Sequence, residues 1–197
     1  MTTPLLVFGW GNHSRGDDAL GPLFIDRLRG LIDQTPSWAD EVECLDDYQL
    51  QVEHALDLLG RSAVLFVDAS LTCTAPFTVT QLAPSRDASY SSHAMSPQAL
   101  LQVYLDLHGH EPPPCTLLAI RGERFGLGEP VSPAAWSHLD AAMVWAMRWM
   151  ADSQRKLPRP NIAPMATTGS APAKTPSDKP GDALGIMPAI TPTFPPG

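Results

Sequence analysis

The stretch LLVFGWGNHSRGDDALGPLF, residues 5–24, constrains the fold more than any other part of this chain. Its first four residues form a short apolar run, which is typical of a strand buried on both faces of a parallel sheet. Gly9 and Gly11 allow the backbone to turn sharply where that strand ends. From Asp17 onward, apolar residues recur at helical spacing, which predicts a helix over residues 17–33. A strand, a glycine turn and a helix in this order form the opening unit of an α/β fold.

Two consecutive carboxylates, Asp17 and Asp18, follow the glycine turn. Carboxylates at the start of a helix are favoured by its free N–H groups and by the positive end of its dipole. We assign Asp17 to such a cap and keep two readings of Asp18, a second cap or a ligand. The turn partly matches the dinucleotide pattern G-x-G-x-x-G, but Ser14 stands at the third glycine position. Because two carboxylates would also repel a pyrophosphate, nucleotide binding is disfavoured here.

Charge and cysteine content narrow the class of protein. The 197-residue chain has a net charge of −8, which disfavours nucleic acid as a partner. Its three cysteines, at positions 44, 73 and 115, match neither a disulfide framework nor a zinc motif. No apolar run is long enough to span a membrane, and no basic segment precedes the first apolar run as it would in a secretory signal. We therefore expect a cytoplasmic protein with reduced cysteines, away from membranes and monomeric.

Segments with strand and helix patterns alternate along the chain. Buried or alternating apolar runs predict five strands, near residues 5–8, 41–46, 62–68, 76–83 and 115–121. Helical periodicity predicts helices over 17–33, 49–59 and 132–150, and a further one that begins at Ser96-Pro97. The alternation favours an α/β fold, a three-layer α/β/α sandwich on a mostly parallel five-stranded sheet.

The composition changes near Leu157. Beyond this point the chain is rich in Pro, Ala, Thr and Ser and has no sustained periodicity. Such a segment lacks the apolar content to build a core. We therefore predict one α/β domain over residues 1–156 and a disordered Pro-rich tail over residues 157–197.

Acidic residues recur where predicted strands end, and in open α/β sheets sites lie beyond the carboxyl ends of the strands. The acidic pair follows the first strand, Asp46 and Asp47 follow the second, and Asp68 ends the third. His93 lies in a polar loop just before a predicted helix. Two carboxylates and one imidazole suit a divalent first-row metal. The alternatives are that the carboxylates cap a helix and a turn, and that the histidine is merely exposed.

A cysteine nucleophile is a second hypothesis. Cys73 lies five residues after Asp68, and His93 is a candidate base for it. However, no glycine-flanked nucleophile elbow surrounds Cys73 or any serine. The H-E-x-x-H pattern of zinc proteases is also absent from the sequence.

Three segments, LLVFGWGNHSRGDDALG, LFVDAS and SSHAMSPQALL, together resemble the nickel–iron hydrogenase maturation proteases. These endopeptidases remove the C-terminal extension of the hydrogenase large subunit. The resemblance covers about residues 4–150 and implies that Asp18, Asp68 and His93 are the metal-contacting residues. The family commonly has Glu at the first of these positions. Where it often has a D-G-G-T-like turn for substrate recognition, this chain reads LDDYQLQ, so Asp46 alone is carried over as a substrate-binding residue.

The resemblance also implies an unusual use of metal. No permanent cofactor is expected, because nickel already loaded into the precursor would serve as the recognition element. The implied partner is thus a nickel-loaded large-subunit precursor, and the metal would polarise the scissile carbonyl or activate a water molecule. The resemblance assigns no catalytic base. A cysteine-dependent hydrolase using Cys73 and His93, and a non-enzymatic nickel chaperone on the same fold, are the alternatives.

Overall fold

A computed structural model describes residues 2–86 and 95–156 of the chain. His93 and the predicted tail over residues 157–197 lie outside the described residues. The disorder of that tail and the position of His93 therefore stay predictions.

The five predicted strands form one sheet, in the order β2-β1-β3-β5-β4. β1, β2, β3 and β5 run parallel to one another, whereas β4 pairs with β5 in the antiparallel direction. β1 and β3 therefore lie side by side in the interior of the sheet, and their carboxyl ends meet at one edge. The strand bounds are β1 Leu5–Trp10, β2 Val42–Asp47, β3 Ala63–Ser70, β4 Phe77–Leu82 and β5 Cys115–Arg121.

Helices cover both faces of the sheet, which confirms the three-layer prediction. The helices are α1 Leu20–Asp33, α2 Pro36–Ala39, α3 Pro97–His108 and α4 Pro133–Lys156. Two 3-10 segments, Gly16–Ala19 and Val52–Leu58, add further turns. α1 and α4 pack on one face, while α3 and the second 3-10 segment pack on the other.

The apolar run in β1 explains why its sequence does not alternate. Leu5 and Val7 belong to the core cluster under α1 and α4. Leu6 and Phe8 belong to the cluster under α3 and the second 3-10 segment. Since successive side chains of a strand point to opposite faces, a strand covered on both sides must be apolar at every position.

The structure differs from the predicted helices at two places. The helix predicted over 49–59 is the 3-10 segment Val52–Leu58, in which Ala55 and Leu58 are the buried residues. A spacing of three matches the three residues per turn of a 3-10 helix. Val52 and Leu59, which the predicted helical pattern includes, are instead exposed. The short helix α2 was not among the predicted helices.

α1 crosses β1 in direct backbone contact. A Cβ on Gly9 would lie 2.5 Å from the carbonyl oxygen of Gly21, and a Cβ on Gly21 would lie 2.2 Å from that of Trp10. No side chain fits at either position, so two glycines let the helix start close above the strand. This contact fixes the segment that precedes α1 at the carboxyl edge of the sheet.

The predicted start of α3 is confirmed in detail. The side chain of Ser96 accepts a hydrogen bond of 3.1 Å from the N–H of Ala99, and Pro97 occupies the first helical position. In the described part of the chain, no helix has both the length and the apolarity needed to cross a membrane.

Candidate metal centre

Asp18 lies over the glycine turn at the carboxyl end of β1. Gly11 has a φ of 142°, and a Cβ there would lie 2.0 Å from the backbone oxygen of Asp18. The N–H of Asn12 donates a hydrogen bond of 3.2 Å to the carboxylate of Asp18. The side chain of Asp18 thus folds back toward the turn and does not cap α1, whose start has no side-chain cap.

Asp68 lies near the carboxyl end of β3, next to β1 in the sheet. Its carboxylate accepts a hydrogen bond of 2.8 Å from the N–H of Ala69. Burial raises the pKa of Asp68 to about 7; the Ala69 hydrogen bond opposes that rise, and the negative charge of Asp18 adds to it. Asp18 therefore lies close enough for its charge to act on the Asp68 carboxylate. Near neutral pH the Asp68 carboxyl is therefore partly protonated, and a cation could replace that proton.

The pair is the part of the predicted metal site that the structure describes. Within residues 2–86 and 95–156, no group of three or more His, Cys, Asp or Glu side chains is placed to hold a metal ion. The predicted third ligand, His93, lies outside this region. Its convergence with Asp18 and Asp68 therefore stays a prediction.

Asp46, the predicted substrate-binding residue, is held by an ion pair. Its carboxylate lies 2.7 Å from a guanidinium nitrogen of Arg29 on α1. The next residue, Asp47, lies 3.2 Å from Nε2 of His54. Consecutive residues of a strand point to opposite faces, so the two acids at the end of β2 have different partners. Sequence reasoning missed Arg29, and a role of Asp46 toward substrate stays a prediction.

Asp17 does not cap α1, and the prediction that it does was wrong. It is 0 % exposed and accepts hydrogen bonds from a loop that follows β5. The donors are the N–H of Glu123 (2.7 Å), the N–H of Arg124 (3.0 Å), and both the N–H (2.6 Å) and the hydroxyl (2.9 Å) of Ser132. Burial acts to raise the pKa of Asp17, but these hydrogen bonds outweigh it and the pKa lies below its usual value.

Further bonds join this loop to the segment before Asp18. We call residues 122–132 the β5–α4 loop. The N–H of Asp17 donates to the carbonyl oxygen of Arg124 (2.7 Å), and the N–H of Gly16 donates to that of Glu129 (3.1 Å). The sequence of this loop predicts only a loop, since nothing in it points to a partner more than 100 residues earlier in the chain.

Cys73, the alternative nucleophile, has a structural role in the described residues. Its thiol donates a hydrogen bond of 3.3 Å to the carbonyl oxygen of Ala119 in β5. Its N–H donates to the hydroxyl oxygen of Ser70 (3.1 Å). These contacts close the turn after β3 and give no support to a cysteine hydrolase. The predicted base, His93, lies outside the described residues.

Comparisons with known proteins identify the fold. No protein-family model and no curated protein matches the chain. Among solved structures, the [NiFe] hydrogenase maturation protease HycI from Thermococcus kodakarensis KOD1 matches with a TM-score of 0.58 and 21% identity, over 76% of this chain and 93% of that one. The hydrogenase maturating endopeptidase HybD from E. coli matches with a TM-score of 0.58 and 20% identity, over 77% and 94%.

A third solved structure gives the same result. The hydrogenase 2 maturation peptidase from Thaumarchaeota archaeon SCGC_AB-539-E09 matches with a TM-score of 0.53 and 20% identity, over 75% of this chain and 98% of that one. The chain therefore has the fold of these proteins, which confirms the predicted fold class.

Proposed function

We propose that this protein is an endopeptidase that removes the C-terminal extension of a nickel–iron hydrogenase large-subunit precursor. The observation that carries the proposal is a pair of carboxylates, Asp18 and Asp68, at the carboxyl edge of the sheet. The charge of Asp18 contributes to the raised pKa of Asp68. Sites of open α/β sheets lie at this edge. The pair occurs on a fold shared with hydrogenase maturation proteases, which supports the same class of reaction.

The chemistry of the pair suits a metal ion that arrives with the substrate. Carboxylate oxygens with one imidazole bind divalent first-row metals without the permanence of a thiolate site. Asp18 and Asp68 would contact the nickel of the precursor, with His93 as the third ligand. Because the pKa of Asp68 is about 7, a proton leaves when the cation arrives and returns when it departs. The metal would polarise the scissile carbonyl or activate a water molecule.

The proposal also covers the substrate, the cofactor, the oligomeric state and the cellular location. The substrate is a nickel-loaded precursor, Asp46 contributes to its recognition, and no resident cofactor is needed. The protein acts as a monomer in the cytoplasm, without nucleic acid. The supporting observation is the acidic character of the chain, with a net charge of −8, which suits a cationic centre in the partner.

The decisive experiment is cleavage of a purified nickel-loaded precursor, followed by mass spectrometry of the large subunit. We expect the wild-type protein to shorten it. Asp18→Ala, Asp68→Ala and His93→Ala should each slow cleavage at least about 100-fold, since each removes a predicted ligand. The matched control is Asp33→Ala, which removes an exposed carboxylate at the end of α1 and should cleave at the wild-type rate.

Two results would contradict the proposal. A wild-type protein that transfers nickel but leaves the subunit at full length would instead be a chaperone. Normal cleavage by Asp18→Ala or Asp68→Ala would show that the carboxylate pair is not the metal-contacting site.

A further inference from the structure

Three large apolar side chains stand exposed around the carboxylate pair. Tyr48 (62 % exposed), Leu71 (54 %) and Leu127 (79 %) follow the carboxyl ends of β2, β3 and β5, respectively. The sheet order places the ends of β2 and β5 on either side of the ends of β1 and β3; Asp18 follows β1, and Asp68 lies near the end of β3. At about 4.8 Å per strand, the ends of β2 and β5 are about 14 Å apart. We call these three residues the apolar rim.

Hydrogen bonds hold the loop that carries Leu127 on both sides of this residue. The N–H of Gly128 donates a hydrogen bond of 2.7 Å to the carbonyl oxygen of Ser14. Nε of Arg15 donates one of 2.8 Å to the carbonyl oxygen of Phe125. An exposed leucine on a loop held in this way is already ordered, so contact with a partner costs little loop entropy.

The turn that carries Leu71 is held in a similar way. The hydroxyl oxygen of Ser70 accepts hydrogen bonds from the N–H groups of Thr72 (3.3 Å) and Cys73 (3.1 Å). The guanidinium of Arg121 donates one of 3.0 Å to the carbonyl oxygen of Cys73. Ordered loops therefore present exposed apolar side chains after both β3 and β5, at the edge of the sheet where Asp68 lies.

The charge between the rim residues selects the kind of partner. Asp18 and Asp68 lie at the strand ends between the residues of the apolar rim, and the whole chain has a net charge of −8. Two copies facing each other here would bring two carboxylate pairs together, and juxtaposed like charges disfavour binding. A partner with a cationic centre surrounded by apolar residues fits both features.

We propose that Tyr48, Leu71 and Leu127 form the docking surface for the protein substrate, which contacts them with apolar residues around its bound cation. This inference rests on the proposed function, because the substrate is the nickel-loaded precursor. The rim supplies affinity and orientation, and the carboxylates contact the metal.

The experiment compares three leucine variants in steady-state cleavage of the nickel-loaded precursor. Leu127→Ser and Leu71→Ser should each raise KM about tenfold, with kcat within about twofold of wild type, since each removes uniform binding. The matched control is Leu107→Ser, in the last turn of α3 and 60 % exposed, which should leave both constants unchanged. Because all three leucines are exposed, each variant should retain the wild-type circular dichroism spectrum.

The outcomes separate this inference from the proposed function. If the wild-type protein cleaves and the two rim variants keep a wild-type KM, the docking surface is wrong and the function stands. An equal rise in KM for Leu107→Ser, or a loss confined to kcat, also overturns it. If sedimentation shows a wild-type dimer that Leu127→Ser dissociates, the rim binds a second copy and the proposed occupant is wrong. A wild-type protein that never cleaves the precursor overturns both proposals.

Discussion

At the scale of single residues, neighbouring carboxylates have opposite environments. Asp17 is 0 % exposed and surrounded by four hydrogen-bond donors, whereas Asp18 is half-buried and coupled to Asp68. Both lie in the 3-10 segment Gly16–Ala19, in which consecutive side chains are about 120° apart around the axis. One acid therefore points to the β5–α4 loop while the next lies at the end of β1. Backbone geometry, not residue type, separates their roles.

Replacing Asp17 should cost much of the stability of the fold. Asp17→Ala leaves three N–H groups and one hydroxyl without their acceptor, and the two donors of Ser132 are buried, so we expect the free energy of unfolding to fall by about 3 kcal/mol. Urea denaturation measures this loss.

The stability that the Asp17 charge contributes should depend on pH. Because the pKa of Asp17 is lower in the folded than in the unfolded state, its ionised form stabilises the fold above the unfolded value of 3.8. That contribution disappears as the pH falls through the folded pKa, so the wild type and Asp17→Asn should approach each other in acid. If the difference in free energy of unfolding between the two proteins stayed constant from pH 7 down to about pH 2, the charge of Asp17 would not be involved.

Sequence reasoning identified some of these residues and missed others for a physical reason. The common edge of Asp18 and Asp68 could be predicted because parallel strand ends meet at one edge, while their role as ligands stays a prediction. The partners of Asp17 lie 106 to 115 residues away and include backbone N–H groups, which every residue type supplies. No sequence pattern marks such donors, and so a buried anchor was interpreted as a local cap.

At the scale of elements, the contact of α1 with β1 determines where Asp18 lies. Gly9 and Gly21 meet backbone to backbone, so the helix begins directly above the strand end. β1 and β3 were predicted well because burial on both faces leaves an apolar run in each sequence. The segment after β2 was predicted less well, since Ala55 and Leu58 satisfy a spacing of three and of a full helical turn almost equally.

Two alanine substitutions in α1 test this contact. Gly21→Ala would place a Cβ 2.2 Å from the carbonyl oxygen of Trp10, so the helix must shift, and we expect a loss of about 2 kcal/mol. Gly30→Ala is the matched control: nothing lies within 4 Å of its Cβ, and helix propensity alone should stabilise it by about 0.5–1 kcal/mol. Chemical denaturation gives both values. Equal effects of the two changes would mean that close packing of α1 on β1 is unimportant.

At the scale of the whole molecule, the sheet and its two covering layers account for the core. Both clusters of buried residues in the described part of the chain lie between Leu5 and Met150. The candidate site lies at the carboxyl edge of the sheet, where loops from several strands meet. A cavity of about 360 Å³ lies at the opposite edge, lined by residues such as Leu5, Thr116 and Trp149, and is separate from that site.

A shortened chain tests the predicted domain boundary. A protein ending at Lys156, the last residue of α4, retains both core clusters. It should unfold in one cooperative transition with a Tm within about 3 °C of the full chain, since a change below 1 kcal/mol shifts Tm by no more than this. Differential scanning calorimetry measures both properties. A broad transition would place part of the folding unit beyond residue 156.

The adjacency of Asp17 and Asp18 also couples motion at two places on the surface. A single peptide bond joins an acid that anchors the β5–α4 loop to an acid that lies at the end of β1. A displacement of the loop pulls on that peptide through hydrogen bonds to Ser14, Gly16 and Asp17. We therefore expect that a partner which immobilises the loop also restricts the position of the Asp18 carboxylate.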